Sequence, residues 1–134
     1  MKKTIPALIC FILSLFLLVS CSRAPKGDII LPAAGEIRQV VIRNGDTSAS
    51  SSDGDAIGKL LDQMGQAKDT GRESVQDHPV GDTAVKIEFI LQNNASSVVY
   101  LYFNGGKLFL EQPYQGIFSI DKSFARTIHE IGQP

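Results

Sequence analysis

Beyond residue 35 the apolar positions fall into two rhythms, and the switches between them outline the elements. Glu36 to Arg43 carries Ile37, Val40, Val41 and Ile42 and stops at Asn44-Gly45-Asp46, a hairpin turn signal. A strand is predicted there. Thr47 to Ser52 is polar and rich in Ser, and it reads as an edge strand folding back on the first, with a loop as the alternative. Ile57, Leu60, Leu61 and Met64 then recur at i, i+3, i+4 and i+7, the spacing of one helical face. Ser52 and Asp53 are good N-caps, and Asp55 falls in the first turn, where the helix dipole favours negative charge. An amphipathic helix is predicted from about Asp53 to Ala67. Gly58 and Gly65 each weaken it by up to about 1 kcal/mol relative to Ala, so it must depend on packing against a sheet.

Lys68 to Thr83 has no periodicity and gathers Gly71, Pro79 and Gly81, which reads as a long loop, either functional or held by its own polar contacts. Alternation follows. Val85, Ile87, Phe89 and Leu91 face one way and Lys86, Glu88 and Gln92 the other, the signature of a half-buried strand. Val98 to Phe103 and Lys107 to Gln112 continue a meander through turns at Asn93-Asn94-Ala95-Ser96 and Asn104-Gly105-Gly106. Pro113 cannot donate to a ladder, so the third strand ends or bulges there before Gly116 to Ile120 resumes an extended run. Asp121 is an N-cap candidate for a last helix with Phe124, Ile128 and Ile131 on one face and Gly132 beyond its end. The predicted fold is α+β and two-layered. It has an antiparallel sheet of about five to six strands with two helices packed on one face, in the order β-β-α-β-β-β-β-α.

The first residues follow another logic. Lys2 and Lys3 supply positive charge, Ile5 to Val19 an apolar stretch and Ser20 a small residue, as in a signal peptide. Leu18-Val19-Ser20-Cys21 looks like the lipobox of a bacterial lipoprotein. A membrane-spanning helix fits less well, because Thr4 to Ser20 is only 17 residues with Pro6 and Ser14 inside, whereas a span needs roughly 20 apolar residues. Residues 1–20 are therefore expected to be a signal peptide that is removed, residues 21–35 a lipidated Cys21 and tether, and residues 36–134 a single α+β domain. The lipid on Cys21 is expected to be diacylglycerol with palmitate-type chains, and two or more acyl chains, at about 0.8 kcal/mol per buried methylene, give stable anchoring. The expected location is the extracytoplasmic face of the cell membrane. Pro25, Gly27, Pro32 and Gly35 mark the tether, whose reach as a flexible chain is about 20 Å. Ile29-Ile30-Leu31 within it can dock on the domain as an added edge strand.

Composition changes little in this picture, but cysteine changes meaning. Cys10 falls in the segment expected to be removed and Cys21 carries lipid, so the even count predicts no disulfide. Without residues 1–20 the chain has 114 residues, with 11 basic against 14 acidic side chains and a net charge of −3. No basic stripe for nucleic acid is present, so no nucleic-acid partner is expected.

Candidate chemistry is sparse, and no cofactor is expected. His78 beside Asp77, with Asp82 nearby, is a candidate for metal binding or proton transfer, but spaced ligand pairs such as Cys-x-x-Cys are missing. His129 reads as a helix residue near a C-terminus that favours cations. No Ser lies in Gly-x-Ser-x-Gly, and Gly105-Gly106 lies between strands as a turn rather than before a helix as a phosphate loop. Tyr100, Tyr102, Phe103, Phe109 and Tyr114 are expected as core or cross-strand pairs, with an exposed subset as the rival reading.

Two stretches carry a resemblance. Lys68-Asp69-Thr70-Gly71-Arg72-Glu73-Ser74-Val75-Gln76-Asp77-His78-Pro79 and Glu111-Gln112-Pro113-Tyr114-Gln115-Gly116-Ile117 resemble the most recognisable segments of domain of unknown function 5301. The resemblance covers about Glu36 to Ile131. It implies a small Gram-positive lipoprotein, or a domain of the kind appended to membrane metallopeptidases of the β-lactam sensor type, and it transfers no catalytic residue. His78 stands where the family would have a small polar residue. The resemblance also implies that Arg72, Glu73 and Asp77 pair around Gln112 to Gly116, so that Arg72, Glu73, Asp77, Gln112 and Tyr114 form a binding or structural loop. The expected function is a non-enzymatic, lipid-anchored module that binds an envelope protein or peptide. The alternatives are an accessory or inhibitory domain for a membrane peptidase and a metal-dependent hydrolase around His78, Asp77 and Asp82.

Overall fold

The computed structural model describes residues 27–79 and 83–132. The expected signal peptide, Cys21, the first part of the tether and Asp82 lie outside the described residues. A 3-10 turn, Ala34–Glu36, leads into β1 (Ile37–Asn44), β2 (Thr47–Ser51), α1 (Gly54–Met64), β3 (Lys68–Arg72), β4 (Val85–Leu91), β5 (Ser96–Asn104), β6 (Lys107–Gln112), β7 (Gly116–Ile120) and α2 (Phe124–Ile131). The strands make one sheet in the order β2-β1-β4-β5-β6-β7-β3, with every neighbouring pair antiparallel.

The α+β class and the antiparallel meander agree with the sequence pattern, but the sheet has seven strands rather than five to six. The order is β-β-α-β-β-β-β-β-α, because Lys68–Arg72, expected as the start of a loop, forms edge strand β3 against β7. An edge strand is held by main-chain bonds on one side and needs no apolar alternation, so the polar sequence Lys-Asp-Thr-Gly-Arg hid it. Its ladder slips between Asp69 and Arg72, where Gly71 has φ +71° and donates its N–H to Asp69 Oδ1 at 2.8 Å.

Alternation along the strands builds the core. Val40 and Ile42 of β1, Ile87 and Phe89 of β4, Leu108 and Leu110 of β6 and Phe118 of β7 all turn to one face. There they meet Ile57, Leu60 and Met64 of α1 and Phe124 and Ile128 of α2. Asp53 caps α1 by accepting from the Ala56 N–H at 3.3 Å, which is the cap read from the sequence, and the helix ends at Gly65. Asp121 caps the turn that leads into α2, the role read from the sequence. Its carboxylate accepts from the Ser123 N–H at 2.8 Å, closing the turn before α2, and these Ser123 hydrogen bonds hold the carboxyl below its ordinary value. Lys59 and Glu130 pair at 3.1 Å across the two exposed helix faces, a contact worth about 0–1 kcal/mol.

The stretch before the 3-10 turn is docked, though not as the edge strand expected for Ile29-Ile30-Leu31. Ile29 is buried in the core, and Ile30 is clasped by one side chain. The Ile30 N–H donates to Gln112 Oε1 at 3.0 Å, and Gln112 Nε2 donates to the Ile30 carbonyl at 2.7 Å. A primary amide offers the donor and acceptor that a strand peptide offers, so a single Gln replaces a ladder.

Gly71→Ala places a side chain in the left-handed region, which costs an L-residue about 1–2 kcal/mol. Chemical denaturation should show a loss of that size, with amide protection lost first in β3. An unchanged midpoint would mean that β3 does not depend on the Gly71 bulge.

Candidate functional site

The sheet face opposite the helices is where the two recognisable sequence segments meet. After β3 the chain turns onto this face, and residues 73–79 run across it as a strap. Ser74 Oγ donates to Glu111 Oε1 at 2.8 Å, both side chains being buried. The Tyr102 hydroxyl hydrogen-bonds to the same carboxylate. The Arg72 guanidinium lies 5.9 Å from the centre of the Phe109 ring, and Phe109 packs on Tyr102 with centroids 6.0 Å apart. Further along, the His78 ring packs at a tilt against Tyr100 with centroids 5.6 Å apart, and the Tyr114 hydroxyl donates to Asp77 Oδ1 at 2.6 Å.

The electrostatics follow from this cover. Tyr102 is pushed up to about 12, first by burial and then by the Glu111 charge and hydrogen bond, with Arg72 opposing. Tyr100 is raised by burial first and then by Asp77 and Glu88, and Tyr114 chiefly by its bond to Asp77. Tyr114 is an exposed, bulky residue at φ +61°, a conformation that costs about 1–3 kcal/mol and persists only where its surroundings impose it.

Of the residues singled out from sequence, Arg72, Asp77 and Tyr114 join the strap, and Glu73 lies in it exposed to solvent. Gln112 does not join them. One position along β6 from Glu111, it points to the other face and holds Ile30. Tyr102 forms a cross-strand pair with Phe109, as its strand position predicts, whereas Ser74 and Glu111 are additions to the set for which only the period of β6 carries a signal. Leu108 and Leu110 face the core, so Phe109 and Glu111 must face away from it, opposite Tyr102 and Tyr100. His78 packs at a tilt against Tyr100, and among the described residues no three His, Cys, Asp or Glu side chains gather as metal ligands.

A second feature lies on the helix side, at the end of the sheet carrying the Gly45-Asp46 and Gly105-Gly106 turns. It is a groove of about 460 Å³ between α2 and the sheet. Ile42, Val85, Leu101 and Leu108 come to it from the sheet, Ala125 and Ile128 from α2, and Phe103 stands exposed beside it. Its polar members include Asn44, Thr47, Thr83 and His129. Another hollow, of about 480 Å³, is largely polar, with Gln63, Gln66, Lys68 and Ser119 among its walls. No helix among the described residues is long and apolar enough to cross a membrane.

A seven-stranded antiparallel sheet carrying two helices on one face and a polar strap on the other defines a two-layer α+β domain. The chain belongs to the family of domain of unknown function 5301, whose description reads "Domain of unknown function (DUF5300)", matched over residues 25–119. It is also similar to a protein from Ruminococcus gnavus solved by NMR. The two share 27% identity and a TM-score of 0.66, over 75% of this chain and 99% of that one. No curated protein matches the chain.

The raised Tyr102 value has a sign. Folding holds the phenol proton more tightly than the unfolded chain, whose value is near 10.0, so this contribution is full below pH 10 and fades as pH climbs toward 12. Tyr102→Phe should therefore flatten the fall of stability between pH 10 and 12 measured by urea unfolding. Equal slopes in both proteins would show that folding does not raise the Tyr102 phenol above its ordinary value.

Proposed function

We propose that this chain is a non-enzymatic, lipid-anchored module on the extracytoplasmic face of the cell membrane, binding an apolar peptide segment of an envelope protein. Membership of a family of unknown function is compatible with that reading. The observation that carries it is the groove beside α2. Its volume falls in the range of binding clefts, about 300–1,000 Å³, and its apolar floor is edged by a few polar groups.

A peptide rather than a small metabolite is favoured by the neighbouring edge. β2 ends the sheet, and the Asn44–Thr47 pair that closes a two-residue turn directs the main-chain groups of Ser48 and Ser50 outward. Ser48 also lines the groove, so main-chain donors and acceptors adjoin an apolar slot, the combination that strand addition uses. The lipid reading rests on Lys2, Lys3, the apolar stretch and Leu18-Val19-Ser20-Cys21.

Selection from a displayed peptide library tests the binding role. Enriched peptides should carry two or three large apolar residues, and Ala125→Trp, which fills the groove, should weaken them by more than about tenfold without lowering the melting temperature. Peptides that bind Ala125→Trp as well as the parent protein would remove the groove from the account.

A further inference from the structure

Among the described residues four large apolar side chains stand exposed: Ile30 at 59%, Val75 at 66%, Phe103 at 58% and Tyr114 at 61%. Phe103 belongs to the groove, beside the Gly105-Gly106 turn. The other three come from distant parts of the sequence, and each belongs to a segment bonded to Glu111, Gln112 or Tyr114 at one end of the sheet, Ile30 on its helix face and Val75 on its open face. The main chain of Ile30 is clasped by Gln112, Val75 follows the Ser74 that bonds Glu111, and Tyr114 bonds Asp77, two residues past Val75. We propose that Ile30, Val75 and Tyr114 form an apolar rim that rests on the lipid surface, holding the domain with the Glu111–Tyr114 end down and the groove facing outward.

The proposal rests on the anchored reading, and the path of the chain supports its direction. Cys21 precedes the buried Ile29 by eight residues, a span of at most about 28 Å fully extended and about 15 Å as a flexible coil. Ile30 is held at Gln112, so the described chain enters the domain at the end that carries the rim. Tyr114 is held at φ +61° with its ring exposed and its hydroxyl bonded to Asp77, an amphipathic side chain kept outward against its own backbone preference. Arg72, Glu73 and Asp77 flank Val75 with mixed charge, so the contact does not require anionic headgroups.

The chain contains no Trp, so a single introduced Trp reports without background. Val75→Trp, Ile30→Trp and Phe103→Trp are each made in the full lipidated protein, which is reconstituted in phosphatidylcholine vesicles with brominated acyl chains. Mass spectrometry of the N-terminal peptide reads the lipid on Cys21. Trp at 75 and at 30 should shift to the blue and be quenched several-fold more than Trp at 103. If the lipid is present and all three Trp residues stay in water, or Trp at 103 is the one quenched, the rim is wrong while the anchor stands. If the peptide carries no lipid, the anchored reading fails and the rim fails with it.

Discussion

Two consecutive residues at the end of β6 fasten the two irregular segments that lie against the sheet. The side-chain period of a strand is two, so Glu111 and Gln112 must point to opposite faces of the sheet. Both are buried and polar, and each therefore has to find a partner or cost about 1–3 kcal/mol. Glu111 finds Ser74 and Tyr102 on the open face; Gln112 finds both main-chain groups of Ile30 on the helix face. One tight pair of positions thus fastens the strap on one side and the incoming chain on the other.

This arrangement gives the molecule two unlike ends. The strand ends near Gln112 carry the chain entry, the strap contacts and the strained Tyr114, all fixed by side-chain hydrogen bonds. At the opposite end two-residue turns close the β1–β2 and β5–β6 hairpins, and α2 leaves part of the apolar sheet uncovered, which is the groove. Tyr100, Ile117 and Glu111 form a cross-strand row on the open face and are buried there, so strapping turns that face into a second, shallow core. At that end the groove and the edge of β2 are open to a partner.

The sequence was legible wherever burial imposed a period. Ile57, Leu60 and Met64 marked α1, the alternation from Val85 to Leu91 marked β4, and Gly45 and Gly105 marked turns that require positive φ. It was illegible where main-chain pairing alone decides, as in β3, or where one side chain replaces a strand, as at Gln112. The candidate loop was recognised as a set, but Gln112 was grouped with residues it cannot reach across the sheet. Glu111 is not legible from the strand period alone, because its burial depends on the loop that covers it.

The central claim is that the two latches are separate. NMR of Ser74→Ala and Gln112→Ala tests it directly, through the His78–Tyr100 ring contact for the strap and exchange of the Ile30 amide for the incoming chain. Ser74→Ala should lose the ring contact and keep the Ile30 amide protected, whereas Gln112→Ala should expose the Ile30 amide and leave the ring contact in place. Release of both segments by either substitution, or of neither by both, would contradict the account.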